Sequence, residues 1–477
     1  STTGSVEFSG EAPVAAFIGG IGGLAGTVTI SRSGYGNITS ITMGNLSKGG
    51  TFKGMTNNGN VTLTGTAPKV YISGGFGCVG SAKEGIANIV NNGTITVPLN
   101  TEAAYPEKIY VGGIFGYANM AVAYPSSAGS IVEKNVIRDC HNTGNVNYYG
   151  IARDGAYVGG LIGRAEKAPI YNCSNSGTVT STGNAGDYTP KGTQAEDKHQ
   201  QNCWGWNSHN DDLAIGGIAG QVDLDVKGCE NSGSVTHTCT LNPIKIDTNG
   251  KTTTSRFDVG GLVGRTYCNF STSSAYSFSL TDNVNNGAVT IYGTPSATNN
   301  TASIDLGDAG EWQWTDIDDS DRTNKRVFYR VNVGGLIGRM IDDSSANVKH
   351  FVNGCVNNAA VSVPEAAGAK CLSVAGAVGE LLISNADFNN VVNKGRISIE
   401  KAGVGTTTSG SQFMHAYFIN MGGLVGQVST GGDSRVIEDS FASGKLILTT
   451  ASKDQKSANL GGLVGHANDS LIITDSY

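Results

Sequence analysis

Apolar and polar residues follow one recurring pattern along most of the chain. A block of the form apolar-Gly-Gly-apolar-apolar-Gly occurs ten times, with irregular copies at Ser73–Cys78 and Val374–Gly379. Around these blocks apolar and polar residues alternate with a period of two, which predicts short β-strands rather than helices. The regular copies are Ile21–Gly26, Val111–Gly116, Val158–Gly163, Ile215–Gly220, Val259–Gly264, Val333–Gly338, Met421–Gly426 and Leu460–Gly465.

A second block, Asn-x-Gly-x-(Val/Ile), lies between successive copies of the first. The spacing between blocks varies while their chemistry stays the same, which is typical of a solenoid with insertions in its loops. The sequence therefore predicts an all-β fold, a single-stranded parallel β-helix (β-solenoid) of about ten coils with long loop insertions on one side. The copies begin at Asn57, Asn91, Asn142, Asn175, Asn231, Asn285 and Asn393, with variants at Asn357 and Ala442.

Both blocks predict corners of the coil. Val158 and Leu161 flank a Gly-Gly pair three positions apart, so a regular strand would point them to opposite faces, whereas a glycine bend would turn both inward. The recurring asparagine predicts an internal ladder of side-chain amides, each bonded to backbone groups and to its neighbours above and below.

Four cysteines share one position of the repeat, two residues before the recurring asparagine: Cys140, Cys173, Cys229 and Cys355. They form either a column of small buried side chains or a metal or disulfide ladder. The buried column is favoured, because free cysteine is among the most buried residue types and parallel in-register side chains suit disulfide torsions poorly.

Composition narrows the class of protein. The 477 residues include 69 Gly and only 15% charged residues, with a formal net charge of −7. No run approaches the ~20 apolar residues of a membrane-spanning helix. Glycine lacks the three-residue period of collagen, and the acidic balance gives no electrostatic footprint for nucleic acid. We therefore expect no membrane span and no nucleic-acid partner.

The two blocks together resemble the GLUG motif of bacterial secreted and cell-surface proteins. Gly159–Gly163 reads Gly-Gly-Leu-Ile-Gly, and Asn172–Val179 reads Asn-Cys-x-Asn-x-Gly-x-Val. The resemblance covers roughly residues 18–477 and implies a parallel β-helix-like fold on adhesin-like surface proteins, without implying a particular ligand. Some larger relatives carry protease domains, but no His-Glu-x-x-His sequence occurs in this chain.

We expect one GLUG-type solenoid at residues 18–477, preceded by a capping segment at residues 1–17. Two insertions interrupt it, at about residues 181–213 and 292–332, and their equivalent place in the repeat predicts that they lie on the same side. The chain stops at Tyr477, where the next Asn-x-Gly block would begin, so we expect further chain or another element to cover that sheet edge.

All four tryptophans lie in the two insertions, as Trp204 and Trp206 in the first and Trp312 and Trp314 in the second. Segments that depart from the repeat are where function is expected. Each pair either anchors its loop onto the solenoid wall or forms an exposed aromatic platform for a sugar ring or a protein partner. These four residues are the candidate binding residues.

The second insertion also carries alternating carboxylates at Asp316, Asp318 and Asp321. Oxygen ligands of this kind suit Ca²⁺, which is the one cofactor that the sequence suggests. The segment lacks the glycine and glutamate of an EF-hand loop, and basic residues follow it. A solvated charged tip is therefore the alternative interpretation.

No catalytic residues are predicted, since acidic pairs such as Asp318 and Asp319 have no associated His or Arg. We expect a non-catalytic adhesive or binding protein, extracellular at a bacterial outer-membrane surface, with a cell-surface protein or glycan as its partner. The alternative is a glycan-binding or accessory surface lipoprotein of an outer-membrane nutrient-uptake complex. A carbohydrate-active enzyme is the third hypothesis, and it requires two carboxylates that face one cleft.

Overall fold

The structure is a computed structural model of the chain. It describes residues 1–32, 38–44, 52–80, 85–100, 106–120, 136–152, 155–185, 213–241, 254–268, 277–295, 328–342, 349–365, 371–383, 385–402, 418–429, 434–450, 457–468 and 470–477. Every regular element in these ranges is a β-strand. The predicted all-β class is confirmed.

Each coil runs through four parallel sheets in a constant order. In coil 4 the chain passes along Gly155–Gly159 in sheet 1 and Ile162–Glu166 in sheet 2. It then follows two short strands, Ile170–Tyr171 and Ser174–Asn175, in sheet 3 and ends with Val179–Ser181 in sheet 4. Strands of the same sheet pair in parallel from coil to coil. Sheets 1, 2 and 4 each contain ten strands, which confirms the parallel β-solenoid of about ten coils.

The strands of each sheet follow in chain order. Coils are numbered 1 to 10 by their sheet 1 strands, so coil 1 begins with Ala15–Gly19 and the sheet 4 strand Val6–Phe8 precedes coil 1. Sheet 1 contains Ala15–Gly19, Lys69–Ser73, Lys108–Gly112, Gly155–Gly159, Leu213–Gly216, Thr254–Gly260, Phe328–Gly334, Cys371–Ala375, Phe418–Gly422 and Ser457–Gly461. Sheet 2 contains Gly22–Ala25, Phe76–Val79, Phe115–Asn119, Ile162–Glu166, Ala219–Val222, Val263–Cys268, Ile337–Asp342, Val378–Leu382, Val425–Val428 and Val464–Ala467. Sheet 4 contains Val6–Phe8, Val61–Leu63, Ile95–Val97, Val146–Tyr148, Val179–Ser181, Val235–Leu241, Val289–Pro295, Val361–Glu365, Ile397–Ala402 and Leu446–Thr450.

Most coils divide their sheet 3 segment into two strands. Sheet 3 contains Phe52–Asn57, Ile86–Asn91, Ile137–Arg138, His141–Asn142, Ile170–Tyr171, Ser174–Asn175, Val226–Lys227, Glu230–Asn231, Ser279–Thr281, Val284–Asn285, Lys349–Asn353, Val356–Asn357, Asn385–Asn389, Val392–Asn393, Ser434–Glu438, Phe441–Ala442 and Ile472–Thr474. Two smaller pairs complete the described strands: Thr27–Arg32 with Ile38–Gly44, antiparallel, and Ile151–Ala152 with Asn184–Ala185, parallel.

Where the sheet 3 segment is divided, a residue with positive φ stands at or beside the break. Every coil has a positive-φ residue at this position, and together these residues form a column. Asp139 and Asn172 have φ of 52°, and Gly228 has φ of 62°. Glycine, asparagine and aspartate tolerate this left-handed conformation better than other residues, so the column is confined to these three types. Its members are Gly54, Asn88, Asp139, Asn172, Gly228, Asp282, Gly354, Asn390, Asp439 and Asp475.

The hydrophobic interior consists of two main clusters, because sheets 1 and 2 fold into the coil as a hairpin. Val158 of sheet 1 packs with sheet 4 residues such as Val179. Leu161, just past the glycine bend, packs with residues of sheets 2 and 3. Both flanking residues are therefore buried, as predicted, but in different clusters.

The tip of this hairpin lies against the asparagine corner between sheets 3 and 4. A Cβ atom on Gly160 would lie 2.0 Å from the carbonyl oxygen of Gly217 and 2.5 Å from the Cγ atom of Asn175. No side chain fits at such distances, so the second glycine of the block is required for close approach.

The predicted amide ladder is confirmed. The Nδ2 atom of Asn142 donates to the Oδ1 atom of Asn175 at 2.8 Å, and Asn175 donates in the same way to Asn231 at 2.9 Å. Each amide also donates to the carbonyl oxygen two residues ahead, as Asn175 does to Gly177. The ladder consists of Asn57, Asn91, Asn142, Asn175, Asn231, Asn285, Asn357 and Asn393.

Residues 1–17 contribute to the first stacked strands. Val6–Phe8 pairs with Val61–Leu63 and is the outermost strand of sheet 4. The predicted boundary at residue 17 falls inside Ala15–Gly19, the outermost strand of sheet 1. The segment predicted as a cap therefore lies at one end of the stack, in register with the next coil.

Candidate functional site

The two long insertions leave the solenoid at the same corner. Each joins sheet 4 to sheet 1 of the next coil, and the flanking strands continue the stack: Ser181 pairs with His237, and Leu213 pairs with Phe257. The flanking strands show that both insertions begin after sheet 4 and end before sheet 1, at equivalent points of the coil. The second insertion is shorter than predicted, because residues 292–295 and 328–332 belong to strands.

The insertions enter sheet 1 at the end remote from the glycine bend, where sheets 1 and 2 face each other. We call the two facing columns of side chains there the seam. Each coil contributes one residue from each sheet, seven positions apart, such as Tyr110 and Tyr117. The pairs are Phe17/Leu24, Tyr71/Cys78, Tyr110/Tyr117, Tyr157/Arg164, Ala214/Gln221, Asp258/Arg265, Asn332/Arg339, Ser373/Glu380, Asn420/Gln427 and Asn459/His466.

In the first coils the seam is aromatic. The rings of Phe17, Tyr71, Tyr110 and Tyr157 stack in sequence, with centroids 4.9, 4.9 and 5.3 Å apart. Tyr117 packs edge-on against Tyr110. Burial raises the pKa of the neighbouring Cys78 thiol to about 12, so this thiol stays protonated near neutral pH.

Charged residues replace the aromatic ones in the middle coils. The Nε atom of Arg265 lies 2.6 Å from the Oδ2 atom of Asp258, and the Nε atom of Arg339 lies 2.8 Å from the Oε2 atom of Glu380. All four side chains are buried. Asn332 joins the two ion pairs, because its Nδ2 atom donates to Asp258 at 2.9 Å and to Glu380 at 3.0 Å.

Amides continue this network toward the last coil. Ser429 donates to Glu380 at 2.9 Å and accepts from Gln427 at 3.0 Å. Asn420 donates to Gln427 at 3.1 Å and accepts from Asn459 at 2.8 Å. Because the two arginines and two carboxylates balance in charge and are buried, we interpret the seam as an internal scaffold beneath the insertion side.

A smaller cluster lies between the aromatic and ionic parts. Glu166 accepts a hydrogen bond from the Tyr117 hydroxyl at 2.8 Å and lies 3.1 Å from the Nη2 atom of Arg164. Burial, followed by the negative charge of Glu166, raises the pKa of Asp223 to about 7. The backbone N–H of Lys167 donates to Asp223 at 2.7 Å and partly opposes this shift.

The predicted binding residues Trp204, Trp206, Trp312 and Trp314 lie outside the described residues, and so do Asp316, Asp318 and Asp321. Their roles remain predictions. Among the described residues no group of three His, Cys, Asp or Glu side chains is placed to hold a metal ion.

The cysteine column is confirmed as buried and free. The predicted members Cys140, Cys173, Cys229 and Cys355 all carry free thiols in the interior. Asn283 occupies the same position in coil 6 and donates to the carbonyl oxygen of Val226 at 2.8 Å. Ser440 occupies it in coil 9, where its hydroxyl donates to the carbonyl oxygen of Glu438 at 2.7 Å. The column therefore accepts either an apolar side chain or a polar one that is hydrogen-bonded within the coils.

Sequence reasoning missed the seam, although the signal was present. Each seam pair sits seven residues apart around a Gly-Gly block, so the two columns can be read from the alignment of the ten blocks. Along these columns tyrosines give way to charged residues and then to amides, which indicates one continuous set of contacts between sheets 1 and 2.

Comparison with known proteins agrees with this architecture. A family model described as the GLUG motif matches residues 154–180. That segment is coil 4, from its sheet 1 strand into its sheet 4 strand, and the same two blocks recur in the other coils. The resemblance to a GLUG-motif repeat protein with a β-solenoid fold is thus confirmed. No curated protein and no solved structure matches the chain.

No helix in the part of the chain that the structure describes has the length and apolar character needed to cross a membrane.

Proposed function

We propose that this chain is a non-catalytic binding protein of the bacterial cell surface, in which the solenoid displays the two long insertions toward a protein or glycan partner. The observation that carries this proposal is the common corner from which both insertions leave the stack. A stiff scaffold that holds variable segments side by side is how binding loops are positioned in many folds.

The chemistry of the interior supports a scaffolding role. Arg265, Arg339, Asp258 and Glu380 are buried and paired with each other. The side chains of the asparagine ladder are likewise bonded within the coils. Recognition is therefore assigned to the insertions, with Trp204, Trp206, Trp312 and Trp314 as the contacts, since tryptophan is enriched where proteins bind partners.

The test replaces all four tryptophans by alanine and, in a matched variant, by phenylalanine. Retention is measured on immobilised neutral and anionic polysaccharides and on extracellular matrix proteins, with thermal unfolding of each variant. A binding platform predicts lost retention for the alanine variant, partial recovery for the phenylalanine variant and an unchanged unfolding midpoint. A lower midpoint with unchanged retention would instead identify the tryptophans as loop anchors and contradict the proposal.

The same assay addresses the alternative role in a nutrient-uptake complex and the Ca²⁺ hypothesis. Retention on polysaccharides alone, together with co-purification of an outer-membrane transporter, favours the accessory lipoprotein. Retention measured with Ca²⁺ and with EGTA tests Asp316, Asp318 and Asp321. Ca²⁺ dependence that disappears in the triple Asp→Asn variant would support oxygen ligands in the second insertion.

A further inference from the structure

The outer face of sheet 4 differs from the rest of the molecule because seven successive coils carry no charged residue on it. This face consists of four outward positions per coil, which alternate with inward residues. Two of them precede the first residue of the sheet 4 strand, such as Val61 in coil 1, and two follow it. Charged residues make up 15% of the chain, yet none occupies these positions from coil 1 to coil 7. The positions are Asn58, Asn60, Thr62 and Thr64 in coil 1, and their equivalents up to Asn358, Ala360, Ser362 and Pro364 in coil 7.

Hydroxyl and amide groups dominate this face and are open to solvent. One column contains Thr62, Thr96, Asn147, Thr180, Thr236, Thr290 and Ser362, all half-buried. Next to it, Asn58, Asn92 and Ser176 are exposed. Parallel strands repeat these groups every ~4.8 Å along the rod and every ~7 Å across it.

The side chains are already ordered by hydrogen bonds between coils. The Nδ2 atom of Asn92 donates to Asn58 at 2.7 Å, and Thr143 donates to Asn92 at 2.7 Å. Asn358 donates to Asn286 at 2.9 Å, and Asn286 donates to the carboxylate of Glu230, which borders the face. Pre-ordered groups lose less conformational entropy when a ligand binds.

Two tyrosines stand among these polar groups. Tyr292 is 41% exposed in coil 6, and Tyr149 is half-buried in coil 3. Tyrosine presents an apolar ring with a polar tip, which suits contact with a molecule that has both apolar faces and hydroxyl groups. The array around them supplies both donors and acceptors.

From this arrangement we infer that the outer face of sheet 4 in coils 1–7 binds a neutral polysaccharide. A partner without charge fits a face without charge, because electrostatic complementarity decides which partners are tolerated. A polymer of repeating hydroxyl-rich units fits a protein surface that repeats donors and acceptors. Binding at several coils at once compensates for weak single contacts. This site consists of strand residues of sheet 4 that the structure describes, and it does not depend on the function proposed for the insertions.

The experiment measures retention of the full chain on microcrystalline cellulose and insoluble chitin, both neutral, and on polygalacturonate beads, which are anionic. The test variants are Thr96→Val/Thr180→Val/Thr236→Val/Thr290→Val, which removes four hydroxyls at nearly constant shape, and Tyr149→Ala/Tyr292→Ala. The matched control is Thr281→Val/Thr474→Val on sheet 3. Thermal unfolding establishes that each variant is folded.

We expect retention of the unaltered chain and of the control on at least one neutral probe, and affinity at least about tenfold weaker for each test variant. Should the valine variant fail to fold, the tyrosine variant decides. Absence of retention on both neutral probes overturns the inference. So does equal retention of the test variants, or stronger retention on polygalacturonate. Loss of retention only in the tryptophan variants would move polysaccharide binding to the insertions, and would also overturn it.

Discussion

At the scale of single residues, Asn175 illustrates how one side chain ties three coils together. It accepts from Asn142 at 2.8 Å, donates to Asn231 at 2.9 Å and donates to the carbonyl oxygen of Gly177. We expect Asn175→Ala to lower the free energy of unfolding by about 3 kcal/mol, because two buried amides each lose a partner. Urea denaturation measures this loss.

The neighbouring Ser176 provides the control, because it is exposed and lies outside the ladder. Ser176→Ala is expected to change stability by less than about 0.5 kcal/mol. The ladder ends where Ala442 replaces asparagine, so Ala442→Asn is expected to add a rung above Asn393 and gain about 1 kcal/mol. Equal stability of Asn175→Ala and Ser176→Ala would show that the ladder contributes little.

His237 makes the stability of the solenoid depend on pH. Its ring is buried, its Nδ1 atom lies 3.2 Å from the Ser181 hydroxyl, and burial lowers its pKa to about 4. The unfolded chain takes up a proton near pH 6.5, whereas the folded chain resists protonation until about pH 4. Stability from this residue is complete above pH 6.5 and falls by about 3 kcal/mol as the pH drops to 4.

The measurement is urea denaturation at pH 7.5 and at pH 4.5 for the unaltered chain and for His237→Ile. Ile291 occupies the same column in the next coil, so isoleucine fits the register. The variant should lose less stability than the unaltered chain between the two pH values. An identical loss of unfolding free energy in both proteins would show that the acid sensitivity comes from groups other than His237.

At the scale of elements, the Gly-Gly and Asn-x-Gly blocks were sufficient to predict the strands, their parallel stacking and the amide ladder. Local chemistry dictates these features. Glycine permits the bend, and the asparagine side chain forms hydrogen bonds with backbone groups of the corner in which it lies. The inward hairpin of sheets 1 and 2 was not predicted. The distinction between the clusters around Val158 and Leu161 depends on contacts between sheets, which spacing alone does not give.

The column of positive-φ residues was also missed, although it can be read from sequence. In coils 1–8 it lies three positions before the ladder residue, as Asn172 does before Asn175. The signal in the sequence is that only Gly, Asn and Asp occupy this position of the repeat. The tryptophan pairs could not be placed from sequence. Trp204 and Trp312 lie outside the repeated blocks, so no register relates them to the strands.

The seam supports a prediction about paired charges. Asp258→Asn leaves the buried Arg265 guanidinium without its counter-charge and should cost about 3 kcal/mol or more. Arg265→Gln should cost a similar amount. The double variant should cost less than the two together, by about 1–3 kcal/mol, because neither charge then remains buried alone.

The exposed pair of Arg138 and Asp139 is the control for the seam. Its nitrogen and oxygen atoms are 3.7 Å apart and its side chains are 51% and 36% exposed. Asp139→Asn keeps a residue that tolerates positive φ and should change stability by less than about 0.5 kcal/mol. Strict additivity in the Asp258/Arg265 cycle would show that the buried pair is not coupled.

At the scale of the whole molecule, each coil makes most of its contacts with the coils directly before and after it, so stability is distributed along the rod. Three continuous columns cross most of it: the ladder, the seam and the cysteine position. Each is made of groups that bond or pack within the stack. The insertion corner and the outer face of sheet 4 lie on adjoining parts of the coil, because sheet 4 leads directly into the insertions.

This distribution predicts a gradient of local opening, which hydrogen exchange measures by mass spectrometry. Amides of Ile162–Glu166 in coil 4 are paired on both sides. Coil 10 exposes Ile472 and Ile473, and among the described strands it pairs only with coil 9. We expect the slowest exchange in coil 4 and the fastest in Val464–Ala467. Leu161→Ala removes a buried side chain and should speed exchange mainly in coils 3–5. Uniform acceleration along the whole rod would show instead that the solenoid opens as one cooperative unit.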